Sequence, residues 1–111
     1  MGVFDNVEEE LREVLPQFFN NLKDNMEELK QQIKEENISE IRRIAHGIKG
    51  SAGSFGLSEI NDLARELEQT AAEFTEDYVG NSSAQQAIQK RFSLLKEKIE
   101  KTVKALEEIQ D

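Results

Sequence analysis

From Ile88 to the end of the chain, core-facing side chains recur every four and three positions: Ile88, Phe92, Leu95, Ile99, Thr102, Leu106 and Ile109, with Val103 widening the stripe. Only an α-helix gathers that spacing onto one face. A helix this apolar on one side is marginal alone in water and needs partners to cover it. The same period runs through the rest of the chain, and no stretch alternates with period two for long enough to make a sheet. The chain is therefore expected to be all-α.

Taken in order, residues 4–15 read as helical, with Asp5 and Glu8 as a capping box and Val7, Leu11 and Val14 on one face. Pro16 disfavours helix at Leu15 and is tolerated in a first turn, so a break or kink is expected there and a new helix from Pro16. Its stripe is Phe18, Leu22, Met26, Leu29 and Ile33, with Phe19 beside it. Asn37 followed by Glu40 marks the next helix, with Ile41, Ile44, Ala45, Ile48, Ala52 and Phe55 on one side and an end near Gly56. Ser58 is the expected cap of a third helix with Ile60, Leu63, Ala64, Leu67, Ala71 and Phe74 inward. Residues 75–82 read as a loop, and Ser83 with Gln86 as the capping box of the last helix. The fold class is an antiparallel four-helix bundle over 16–109, with residues 1–15 as a short N-terminal helix, kinked extension or linker. At 111 residues one domain fills the chain.

Composition narrows what such a bundle can do. The net charge of −9 argues against a general binder of nucleic acid or anionic membranes. Cysteine is absent, so disulfides and thiolate metal sites are excluded. No apolar run reaches the roughly 18 residues that span a bilayer, and no signal-peptide pattern opens the chain. A cytoplasmic, monomeric domain is expected. The Met1-Gly2 start fits a piece cut from a longer protein.

One stretch breaks the regular pattern. Residues 45–57 hold the only histidine and four of the six glycines. Glycine costs roughly 1 kcal/mol relative to alanine inside a helix, so Gly47, Gly50 and Gly53 need a reason. At about 100° per residue, Ile44, Ile48 and Phe55 lie about 160° to 180° from His46. Ser39, Arg42, Arg43, Lys49, Gly50 and Gly53 lie within about 60° of it. The imidazole thus faces away from its helix's core stripe, among three cations and beside two glycines. Wheel position alone suits an ordinary surface histidine equally well. The local cations in an acidic chain, and the lowered surface at Gly50 and Gly53, favour a group that receives an anion and is approached by another molecule. A neutral imidazole is a nucleophile that can take a phosphoryl group. Lys49, three residues on, can reach the oxygens of that group. Metal, nucleotide and hydrolase sites fail on inventory. Arg43 occupies the place where a di-metal bundle carries Glu-x-x-His, and no phosphate-binding Gly-Lys-Ser/Thr loop is present.

The stretch His46-Gly-Ile-Lys49-Gly50-Ser51-Ala52-Gly53-Ser54-Phe55-Gly56-Leu57 resembles the motif of the histidine-containing phosphotransfer (HPt) domains of two-component phosphorelays. Ile-Arg-Arg-Ile-Ala before it and Ala-Arg-Glu-Leu-Glu at 64–68 look like the same family. The resemblance implies that His46 accepts a phosphoryl group from a receiver-domain aspartate and passes it to another. It implies a phosphoryl carrier, not an enzyme with its own turnover, and no cofactor, the Mg²⁺ lying in the receiver. Lys49 is expected to pair with the phosphate, and Gly50 to leave room for the receiver. Gly56 would serve the turn between helices, and Glu68 would bond the inner imidazole nitrogen. The expected partner surface is Arg42, Arg43, Gly50 and Gly53 around His46. Arg65 departs from the family's usual smaller residue, and either adds charge to the site or points to solvent.

Two alternatives stand beside this one. The phosphoacceptor domain of a chemotaxis-type histidine kinase shares the motif and takes its phosphoryl group from an ATP-binding domain. A helical module that binds receivers without chemistry would have little use for His46 and Lys49 together. A single domain leaves open whether the chain acts alone or within a hybrid kinase.

Overall fold

A computed structural model describes residues 9–110 as four α-helices: α1 (Glu9–Lys34), α2 (Ile38–Ser54), α3 (Ser58–Glu73) and α4 (Ser82–Gln110). No strand occurs among the described residues. Three-residue connections join α1 to α2 and α2 to α3, which makes those neighbours antiparallel. The bundle measures 46 × 20 × 19 Å. Its length follows from α1 and α4, of 26 and 29 residues, whereas α2 and α3 have 17 and 16. The shorter pair forms the most intimate packing in the molecule and carries the glycine-rich stretch on its outer edge.

The apolar stripes meet in one core. Phe19, Leu22, Leu29, Ile41, Ile48, Ile60, Leu67, Ile88 and Leu95 are its largest fully buried members. Ile33, Phe55, Leu63 and Phe74 pack on it half-buried. Phe55 stacks on Phe18 with ring centroids 4.1 Å apart, and Phe18 meets Phe19 edge-on at 5.1 Å. These contacts pin the end of α2 to the first half of α1.

Several boundaries differ from the sequence expectation. The chain runs through Pro16 as one helix, with no new start there. Proline forfeits one backbone hydrogen bond, but its fixed φ is itself helical, and the buried face from Phe18 onward holds the helix together. Asn37 is the N-cap of α2, yet its side chain accepts from the Ser39 hydroxyl at 3.2 Å and makes no cap bond to the backbone. Ser58 lies inside the first turn of α3, and Leu57 takes the N-cap position. Asn81, not Ser83, caps α4, its Oδ1 accepting the Ala84 N–H at 3.1 Å. Asp5, Glu8 and Val7, and the side chains of Leu11, Val14, Leu106 and Ile109, lie outside the described residues.

Two helix ends share one design. At the end of α2, the Leu57 N–H donates to the Ala52 carbonyl at 2.9 Å and the Gly56 N–H to Gly53 at 3.1 Å, with Gly56 at φ +72°. This is a Schellman end, in which a left-handed residue turns the chain. At the end of α1, Asn37 donates to Gln32 at 3.0 Å and Glu36 to Ile33 at 3.1 Å. There the left-handed residue is Glu36, at φ 56°. Its carboxylate accepts from the Gly80 N–H at 3.2 Å and from the Gln85 amide, and so joins this turn to the start of α4. Tyr78, in the connection that reads as a plain loop, is buried in the core.

Candidate functional site

His46 stands on α2 with its side chain 68% exposed. Its Nδ1 lies 2.5 Å from Oε2 of Glu68 on α3. The other oxygen of the same carboxylate accepts from the Lys49 ammonium at 2.7 Å. One glutamate thus bridges the histidine and the lysine one turn away. Glu68 is only 17% exposed and Lys49 27%, so this part of the cluster is sheltered while the imidazole projects. The Lys49 ammonium, above all, and then His46 hold the Glu68 carboxyl below its ordinary range, against burial that pushes it up. An ionised Glu68 can only accept, so Nδ1 carries the ring proton in the neutral imidazole. Nε2, left with a lone pair, has no hydrogen-bond partner among the described residues.

Lys49 reads from sequence as a group for an incoming anion. In the structure its ammonium already has a carboxylate partner. Gly50 and Gly47 face open space, since a Cβ at either would meet nothing within 4 Å. Gly53 differs. Its missing Cβ would come within 3.2 Å of the Asn61 side chain of α3, so its clearance serves the α2–α3 contact as well as any surface. Gly56 supplies the left-handed turn into α3 described above.

The expected cationic flank divides. Arg43 bonds Glu40 at 2.5 Å and Glu28 of α1 at 3.1 Å, so two carboxylates offset it and it ties α1 to α2. Arg42 makes no ion pair among the described residues. Both arginines line a shallow groove with Ser39, His46, Glu68 and Thr75. Arg65 turns back along its own helix to Asn61 at 2.9 Å and Asp62 at 3.5 Å, away from the histidine.

An exposed imidazole with its inner nitrogen bonded to a carboxylate, and a lysine one turn on, leaves its outer nitrogen chemically able to act as a nucleophile. The family model of the Hpt domain matches residues 13–109. The chain belongs to the Hpt domain family. Hpt domains are phosphoryl carriers in two-component signalling, and they work with response-regulator receivers. No curated protein and no solved structure matches this Hpt domain in the other comparisons. Among its described residues no helix is long and apolar enough to cross a membrane, and no group of three or more His, Cys, Asp or Glu side chains is placed to hold a metal ion.

Sequence reasoning passed over Asn61. Its side-chain amide donates to the backbone carbonyl of Lys49 at 2.8 Å. The signal was present: Asn61 lies seven residues before Glu68, so the two share a face of α3. Gly53 lies seven residues after His46 on α2, in the matching antiparallel position.

Proposed function

We propose that His46 is the phosphoacceptor of this Hpt domain and works between two receiver domains. The observation that carries this is the bridge of Glu68 between His46 Nδ1 and Lys49, which leaves Nε2 outward with its lone pair free. In the forward step the Nε2 lone pair attacks the phosphorus of a receiver's aspartyl phosphate. The N–P bond forms as the P–O bond to the aspartate breaks, and the aspartate departs as a carboxylate. The imidazole, now phosphorylated at Nε2 and still protonated at Nδ1, carries positive charge that the Glu68 carboxylate stabilises. The reverse sequence delivers the group to a second receiver. Lys49 is close enough to trade Glu68 for a phosphoryl oxygen as charge develops there. Gly50 leaves the surface low where a receiver's loops approach. The divalent ion that such transfers use belongs to the receiver, and the chemistry takes place in the cytoplasm.

The test charges the source organism's receiver domains with labelled acetyl phosphate, presents each to the wild type and to His46→Gln, and follows the label. The wild type is expected to take label from at least one receiver and return it to another, with the variant unlabelled. A variant labelled as well as the wild type would remove His46 from the role.

A further inference from the structure

We infer that Asn61 is a positioning residue for the phosphoacceptor site, acting through Lys49, and that Gly53 exists to admit it. The inference rests on the reading of His46 as phosphoacceptor. Helix α3 grips one residue of α2 at two points. Asn61 Nδ2 holds the Lys49 backbone carbonyl at 2.8 Å, and Glu68 Oε1 holds the Lys49 ammonium at 2.7 Å. The two grips are seven residues apart on α3, about 10 Å along its axis. The lysine stem is therefore drawn out along the groove, toward the turn of α2 that bears His46, instead of swinging through solvent. A long flexible side chain loses much rotamer freedom when it binds, and a stem already extended has less left to lose.

The amide itself is held in one orientation. Arg65 has only donors, and its Nη2 lies 2.9 Å from the other Asn61 side-chain atom. That atom must be the oxygen, which turns the NH₂ toward Lys49. Asp62 anchors the same guanidinium at 3.5 Å. The Lys49 carbonyl sits within α2 and has a second lone pair, so Asn61 adds a bond without taking one from the helix. A Cβ at position 53 would stand 3.2 Å from Asn61 Nδ2. This accounts for a glycine inside a helix where alanine would otherwise be the better residue. It also accounts for Arg65, whose charge is spent on the strut and not on the phosphate.

The test uses Asn61→Ala, Gly53→Ala and the double variant, with phosphoramidate as a small phosphoryl donor. Two quantities are read: the initial rate of phosphohistidine formation by ³¹P NMR, and the titration midpoint of the Glu68 carboxyl by ¹³C NMR in the free protein. In Asn61→Ala the rate should fall by roughly three- to tenfold, less than the hundredfold that a 1 Å misplacement can cost. The Glu68 midpoint should rise toward the ordinary carboxylate range as Lys49 loosens. Gly53→Ala should lower the rate and raise the midpoint in the same way while its melting temperature holds or increases, a combination that plain loss of structure does not give. In the Asn61→Ala background the Gly53 substitution should add nothing. A wild-type midpoint in Asn61→Ala, or an equal effect of Gly53→Ala in both backgrounds, would overturn the assignment. If the wild type takes no phosphoryl group from phosphoramidate or from any charged receiver, the reading of His46 as phosphoacceptor fails. The Glu68 midpoint then still decides whether Asn61 positions Lys49.

Discussion

At the scale of single residues, Glu68 sets the state of everything around it. Its two oxygens are divided between a lysine and a histidine. The carboxylate is therefore ionised, the imidazole proton sits on Nδ1, and Nε2 is left open. Folding lowers its carboxyl below the ordinary value of 4.5, chiefly through Lys49. A group lowered on folding stabilises the native state fully above its ordinary value, and that contribution is lost as pH falls through the lower, folded value. Glu68→Gln cannot titrate, and it leaves the sheltered Lys49 ammonium without its carboxylate. At neutral pH this variant should be less stable than the wild type by roughly 1 to 3 kcal/mol. The gap should narrow as urea unfolding is repeated from about pH 7 down to about pH 3. A gap that stays constant over that range would mean that Glu68 titrates alike in the folded and unfolded chain.

At the scale of the helix and its ends, the two Schellman turns separate what sequence patterns can express from what they cannot. Gly56 was legible because glycine is the residue that tolerates positive φ, and it follows directly on an apolar stripe. Gly56→Ala should cost about 1 to 2 kcal/mol from its left-handed conformation alone, since open space surrounds the new Cβ. That corresponds to a melting temperature lower by roughly 4 to 8 °C per kcal/mol, read by thermal denaturation. A melting temperature equal to that of the wild type would mean that the turn relaxes to another conformation. Glu36 adopts the same backbone state and was not legible. Its compensation is a carboxylate bonded to Gly80 and Gln85, more than forty residues away in the chain. The same contrast holds elsewhere. Among the described residues, the stripes of all four helices followed from local period. So did the outward face of His46, fixed by where Ile44, Ile48 and Phe55 must point. The pairing of Glu68 with the inner imidazole nitrogen followed from the family resemblance and not from local period. Pro16 misled, because the break it suggests is a local tendency that the burial of Phe18, Phe19 and Leu22 overrides. Tyr78 and the second partner of Arg43 depend on which helices become neighbours, which no helical wheel contains; for Asn61 the wheel shows the face shared with Glu68 but not the Lys49 carbonyl that it bonds.

At the scale of the whole molecule, the charge is the property that no single contact describes. Fourteen basic and 23 acidic residues leave a net charge of −9 on a chain of 111. The bundle is only about 20 Å across its short axes. At 0.01 M ionic strength the screening length is about 30 Å, so charges on opposite faces still interact, whereas at 1 M it is about 3 Å and only touching charges do. Two effects then oppose each other as salt is added. Screening weakens surface pairs such as Lys101 with Glu97 and Arg43 with Glu28, which are half or more exposed in most of their members; exposed pairs of this kind typically contribute about 0 to 1 kcal/mol each. Screening also relieves the mutual repulsion of the acidic excess, which is summed over every pair of like charges and opposes the compact state. The pair least affected is Lys49 with Glu68, both less than a third exposed. With the excess as large as it is, relief of repulsion should win. The melting temperature at pH 7 should therefore rise between about 0.01 M and about 0.5 M sodium chloride, while the Glu68 titration midpoint moves little over the same range. A melting temperature that falls with salt would show that the surface pairs outweigh the repulsion, and that the acidic excess is spread too widely to strain the fold.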